Sequence, residues 1–98
     1  MDQYQRHFAL FLVPGFSLVA LSCVIDTLRA ANADIDRAYY KWTLIGDRVT
    51  SVLSSSDIQM PCLSNTETEP FDTLVICGGD RSHLFDSKPA LNWLAARP

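Results

Sequence analysis

Two apolar runs that each break off at glycine constrain this chain most: FALFLV (Phe8–Val13) before Pro14-Gly15, and FDTLVIC (Phe71–Cys77) before Gly78-Gly79. The first run has no polar alternation, the pattern of a strand buried on both faces of a parallel sheet, and Thr73–Cys77 reads as a second such strand. The first run continues into an amphipathic stretch in which Leu18, Leu21, Ile25 and Leu28 fall at i, i+3, i+7 and i+10. That stripe can pack on a sheet, and Ser17 is placed to cap the helix. Strand, tight turn and helix make the first half of a βαβ unit. Strands of this kind put ligands at the carboxyl edge of an open sheet. The candidate binding residues are therefore Pro14, Gly15, Phe16 and Ser17 at one strand end and Gly78, Gly79 and Asp80 at the other.

The remaining segments extend the pattern. YYKWTLI (Tyr39–Ile45) is a strand by its aromatic and β-branched content. Lys41 within it marks an edge or near-edge position. Val49–Leu53 and Ile58–Met60 flank Ser54-Ser55-Ser56-Asp57 and read as a small hairpin or arm. Pro61–Pro70 is a polar connection. Asp86, Ser87 and Pro89 signal a second helix with Leu91, Leu94 and Ala95 on one face. The fold class expected is α/β, an open parallel sheet with flanking helices. No strand follows the last helix, so the chain is expected to be the front half of a larger domain, marginally stable or self-associating in isolation.

At 98 residues, 48% of them hydrophobic and 19% charged, the chain has a globular composition. Its eight Lys and Arg are scattered and its net charge is −3, which argues against nucleic-acid binding by this segment. The Phe8–Val13 run is far short of the ~20 residues that cross a bilayer and too short for a signal peptide. No membrane association is expected, and cytoplasm is the expected location. Cys23, Cys62 and Cys77 are odd in number and lack CxxC spacing, so neither a disulfide framework nor a metal site is expected.

No catalytic residue is expected among them. Cys77 lies in an apolar strand rather than a G-x-C-x-G turn, Cys23 reads as a packing residue, and Cys62 as a loop thiol. His7 and His83 read as surface or loop histidines, although His83 follows the glycine turn and could reach a ligand. Asp26 and Arg29 are spaced for a local ion pair, and Trp42 and Trp93 for packing. Gly78-Gly79-Asp80 fits either a backbone cradle for an anion or carbonyl or a turn that needs permissive residues. Pro14–Ser17 fits either an anionic or zwitterionic ligand at a helix N-terminus or a simple βα turn.

PGF at Pro14–Phe16, LRAAN at Leu28–Asn32 and GGD at Gly78–Asp80 resemble the opening of GlxA-type, AraC-family transcriptional regulators, and the similarity runs from Phe8 to about Leu94. The sensor domain of those regulators is PfpI-like, of the class I glutamine amidotransferase-like superfamily. The resemblance implies a flavodoxin-like fold, a second half with a nucleophile elbow, and a helix-turn-helix domain, neither of which falls in this stretch. It implies that the oxyanion-binding amide of the superfamily comes from the Gly78–Asp80 segment. Enzymatic relatives carry an acid where this chain has Ala20, so a non-catalytic domain is implied. Two departures from the regulators stand at Asp26-Thr27, where Glu-Pro is common, and at Asp57, where glycine is common. The function so implied is sensing of a small metabolite, amino-acid-like or a quaternary amine, with no cofactor and in a homo-oligomer. A quaternary-amine cage needs several aromatics, and Phe16 is the candidate here. The rival readings are a fragment of a PfpI-like cysteine hydrolase or deglycase, and a self-associating α/β module.

Overall fold

A computed structural model describes residues 5–80 and 85–97. Among the described residues eight elements follow one another: β1 (Arg6–Leu12), α1 (Leu18–Asp34), β2 (Tyr40–Gly46), β3 (Ser51–Leu53), β4 (Gln59–Pro61), β5 (Leu63–Ser64), β6 (Thr73–Cys77) and α2 (Lys88–Ala95). β1, β2, β5 and β6 form a parallel sheet in the order β5-β2-β1-β6, and β3 pairs with β4 as an antiparallel hairpin. This is a flavodoxin-like α/β architecture, an open parallel sheet with helices on its faces.

The period-two geometry of a strand explains why β1 is wholly apolar. Its side chains point alternately to opposite faces, and both faces are covered. Leu10 and Leu12 join Phe16, Leu21 and Val52 in the core beneath α1 and the hairpin. Ala9, Phe11 and Val13 join Ile45 and Ala90 in the core beneath α2. Ala9 through Leu12 have no accessible surface.

Ser17 caps α1, its hydroxyl accepting from the Ala20 amide at 3.2 Å. Leu21 and Leu28 of the expected stripe are buried, with Leu18 and Ile25 packed beside them. Asn32 makes the joint to the next strand. Its carbonyl oxygen accepts from the Tyr39 and Tyr40 amides at 3.1 and 2.8 Å, and its NH2 donates to the Tyr40 carbonyl at 2.9 Å.

β6 departs from the expectation of a buried strand: Thr73 is exposed and Ile76 is 53% accessible. Among the described residues β6 has β1 on one side only, so nothing covers its outer flank. β2 is near-edge as Lys41 signalled, because β5 pairs only with its last two residues, and Lys41 pairs with Glu69.

α2 is rotated from the face read in the sequence. Ala90 is buried and Trp93 and Leu94 are half-buried, whereas Leu91 is 54% accessible and Ala95 is exposed. The reason is the Trp93 ring, which stacks on Phe11 with centroids 5.8 Å apart and brings small Ala90, three residues earlier, against the sheet. Ser87 caps the helix by accepting from the Ala90 amide, and its hydroxyl donates to Asp47 at 2.7 Å.

His7 is also not a free surface residue. Nδ1 lies 2.8 Å from the Pro70 carbonyl and Nε2 lies 2.7 Å from the Thr43 hydroxyl. A carbonyl can only accept, so Nδ1 carries the proton toward Pro70. His83 lies outside the described residues.

Candidate functional site

Backbone hydrogen bonds gather three separate segments at the carboxyl ends of β1 and β6. The Val13 amide donates to Cys77 O at 3.0 Å and continues the ladder. Gly15 then turns the chain at φ 82°, a left-handed value that glycine adopts without a Cβ penalty. The Gly15 amide donates to Leu53 O, the Ser55 amide to Phe16 O, and the Ser17 amide to Gly78 O, at 2.8, 2.9 and 2.9 Å. The βα turn is thus sewn to the β3–β4 hairpin on one side and to the Gly78-Gly79 turn on the other.

Gly79 is needed for that closeness. A Cβ placed on it would lie 2.4 Å from the Gly15 carbonyl oxygen and 3.0 Å from the Ser17 amide nitrogen. Both expected strand-end motifs are therefore in contact with each other.

The hairpin turn supplies the next wall. Ser54, 2% accessible, accepts from the Ser56 and Ile58 amides through its hydroxyl at 3.2 and 3.1 Å. Asp57 sits at φ 63°, left-handed backbone that Asp tolerates better than most residues. The turn thus keeps its form without glycine.

Around these segments lies a cleft of about 800 Å3, within the usual range for small-molecule sites. Pro14, Gly15 and Asp80 line it together with Leu53, Ser54 and Ser55. Asp57, Phe85 and Asp86 complete the wall. Among the described residues the lining holds three carboxylates and no basic side chain, a negative field that opposes the anion expected at this helix N-terminus. The amides of Gly15 and Ser17 are already donated to protein carbonyls.

Of the seven residues singled out from the sequence, Pro14, Gly15 and Asp80 face this cleft. Phe16 does not: its ring has no accessible surface and belongs to the core beneath α1. It therefore does not offer a ligand the aromatic face expected of it. Ser17 borders a different, outer groove along α1 with Val19, Ser22 and Cys23. Gly78 accepts from Ser17, and Gly79 serves the close packing just described.

Asp57 was not legible as a site residue, because the hairpin is folded over the turn by long-range pairing, the parallel bridge between Phe16 and Ser54 and the Gly15–Leu53 and Ser55–Phe16 hydrogen bonds; Phe85 and Asp86 reach the cleft from the segment after β6. Among the described residues, no group of three or more His, Cys, Asp or Glu could hold a metal ion.

The thiols stand apart from the cleft. Cys77 is buried, and desolvation pushes its thiol up from the ordinary value of 9.0, the opposite of what activates a nucleophile. Cys62 lies in the short link between β4 and β5 as a loop thiol, half-buried and 3.6 Å from the Val49 carbonyl, and burial raises it too. Cys23 is exposed on α1 instead of packed. Asp26 and Arg29 pair at 3.1 Å on the same helix surface.

No protein-family model matches the chain. Its fold is that of the crystal structure of an AraC family transcriptional regulator from Pseudomonas putida: TM-score 0.77 and 23% identity, over 91% of this chain and 48% of that one. In sequence it is similar to the HTH-type transcriptional regulator GbdR of Pseudomonas aeruginosa strains UCBPP-PA14 and PAO1, 29% identical over 69 residues. That stretch is 69% of this chain, which spans about a fifth of the relatives' length (19%). No helix among the described residues is long and apolar enough to cross a membrane.

Proposed function

We propose that this chain is a non-catalytic, ligand-sensing part of an AraC-type transcriptional regulator, of the GlxA-like, PfpI-like kind. The cleft at the carboxyl ends of β1 and β6 carries this reading. It is large enough for a metabolite, and three protein segments laced by backbone hydrogen bonds define it. A ligand that draws those segments together would change how the turn and hairpin sit on the sheet, and that bias is what a sensor passes on. The similarity to regulators in sequence and in fold supports the setting.

The lining selects within the metabolites expected. Asp57, Asp80 and Asp86 attract a positively charged group, and Phe85 offers an apolar or cation–π wall. A quaternary amine or the ammonium end of an amino acid fits that chemistry. A hydrolase or deglycase reading has less support, since Ala20 occupies the first turn of α1 and Cys77 is buried with a raised pKa.

The test is a calorimetric titration with a panel of trimethylammonium compounds, primary amines and α-amino acids, with dicarboxylates as controls. Saturable binding of one or more cationic members, with none of the dicarboxylates, is expected. Binding of dicarboxylates in preference to cations, or of nothing in the panel at millimolar concentration, contradicts the reading.

A further inference from the structure

The wall of the cleft that Phe85 and Asp86 supply stands just before α2, so its place depends on what holds that helix to the sheet. Apolar contact does part of this, since Ala90, Trp93 and Phe85 belong to the core beneath α2. Such contact is non-directional and leaves a helix free to slide or turn over the sheet. Among the described residues, one hydrogen bond ties residues 85–97 to the rest of the molecule. The Ser87 hydroxyl donates to Asp47 Oδ2 at 2.7 Å, across 40 positions of sequence. A hydroxyl donating to a carboxylate makes a short bond, roughly twice as strong as a neutral one.

The anchor of that bond is itself fixed. Asp47 directly follows β2, and its side chain is 13% accessible. Its other oxygen, Oδ1, accepts from Arg48 Nε at 3.1 Å, which leaves Oδ2 for Ser87. Arg48 sits at φ 54°, and the buried Asn65 holds it there. Asn65 Oδ1 accepts from the Arg48 amide at 3.0 Å, while the Asn65 amide donates to Gly46 O at 2.9 Å.

Asp47 also completes the helix. The first turn of α2 carries no acidic residue, and a carboxylate near a helix N-terminus is favoured by the dipole. Asp47 brings one from the end of β2. The hydroxyl that it holds accepts in turn from the Ala90 amide, so the carboxylate orients the cap as well.

Asp47 does not border the cleft. On the reading of the cleft as a sensing site, we propose that Asp47 is its positioning residue. Through Ser87 it fixes the register of α2 on the sheet, and so the place at which Phe85 and Asp86 meet a cationic ligand.

Amide-resolved NMR of the 98-residue chain tests this without a ligand. Asp47→Ala should shift the resonances of Phe85, Asp86 and Ser87, while those of Gly15, Ser55 and Asp57 on the other walls stay in place. Asp47→Asn, whose carbonyl oxygen can still accept from Ser87, should leave Phe85 and Asp86 as in the native chain. Ser87→Ala should move the same two resonances and Ser87→Thr, which keeps the hydroxyl, should not; this pair serves if Asp47→Ala misfolds. Adding Asp47→Ala to Ser87→Ala should move Phe85 and Asp86 no further, as expected for two ends of one contact. Titration with tetramethylammonium ion then reads the consequence. Asp47→Ala is expected to bind it about threefold to tenfold more weakly, the size expected of a residue that does not touch the ligand, and Asp47→Asn to bind it like the native chain. Unmoved Phe85 and Asp86 resonances in Asp47→Ala, or native affinity despite moved ones, overturn the proposal. Failure of tetramethylammonium to bind even the native chain counts instead against the sensing reading, and the ligand-free spectra still decide whether Asp47 positions the wall.

Discussion

Gly79 shows how much a single missing side chain decides at the strand ends. Its Cα approaches the Gly15 carbonyl so closely that an added methyl would lie 2.4 Å from backbone oxygen, and backbone cannot rotate away as a side-chain tip can. Gly79→Ala should therefore destabilise the fold by about 1–3 kcal/mol, the usual cost of forced overpacking. A lowered denaturation midpoint at unchanged slope would show it, and an unchanged midpoint would mean that the turn yields. The thiols form a second residue-scale test. Exposed Cys23 should be alkylated rapidly in the native chain, while Cys77, buried and with its thiolate disfavoured, should react only on unfolding. Mass spectrometry of timed iodoacetamide quenches separates them, and early labelling of Cys77 would refute its placement.

At the scale of elements, Asn32 fastens α1 to β2. Asn32→Ala removes three hydrogen bonds and takes that acceptor from the half-buried Tyr40 amide, while the Tyr39 amide keeps the Arg37 carbonyl at 3.1 Å. A loss of about 1–3 kcal/mol is expected, measured by urea denaturation; a loss below a few tenths would show that water replaces the amide. The elements themselves were largely legible. Apolar runs ending at glycine gave β1 and β6, Ser17 and Ser87 marked both helix starts, and the serine-rich turn marked the hairpin. Leu63–Ser64 escaped notice because two residues carry no periodicity. The α2 face was misread because an alanine at the sheet and a tryptophan on Phe11 outweigh a leucine stripe. His7 looked like a surface residue because its partners, Thr43 and Pro70, are distant in sequence.

For the whole molecule, the order β5-β2-β1-β6 leaves β6 with an open flank among the described residues. TLVIC carries no charge or proline to discourage pairing, and Ile76 is half exposed beside it. Ile76→Lys should reduce aggregation on heating, seen by light scattering, with a stability change within about 0.5 kcal/mol. Aggregation equal to that of the native chain would locate the liability elsewhere. The site was legible only in part at this scale. Two strand ends could be read from glycines, but the third wall depends on the hairpin crossing back over Phe16, a long-range pairing that no local pattern encodes. Phe16 itself was misassigned for the same reason, because the hairpin that buries it is remote in sequence.

The cleft at the ends of β1 and β6 carries the proposed function, and amide-resolved NMR tests it most directly. On titration with the cationic panel, the resonances of Gly15, Ser55, Asp57 and Asp80 should shift together, while those of Asp34 and Arg37 stay in place. Asp80→Asn should weaken the same binding about tenfold, as expected for losing one charge partner. Shifts confined to the outer groove of α1, or binding that Asp80→Asn and Asp57→Asn leave unaltered, would contradict it.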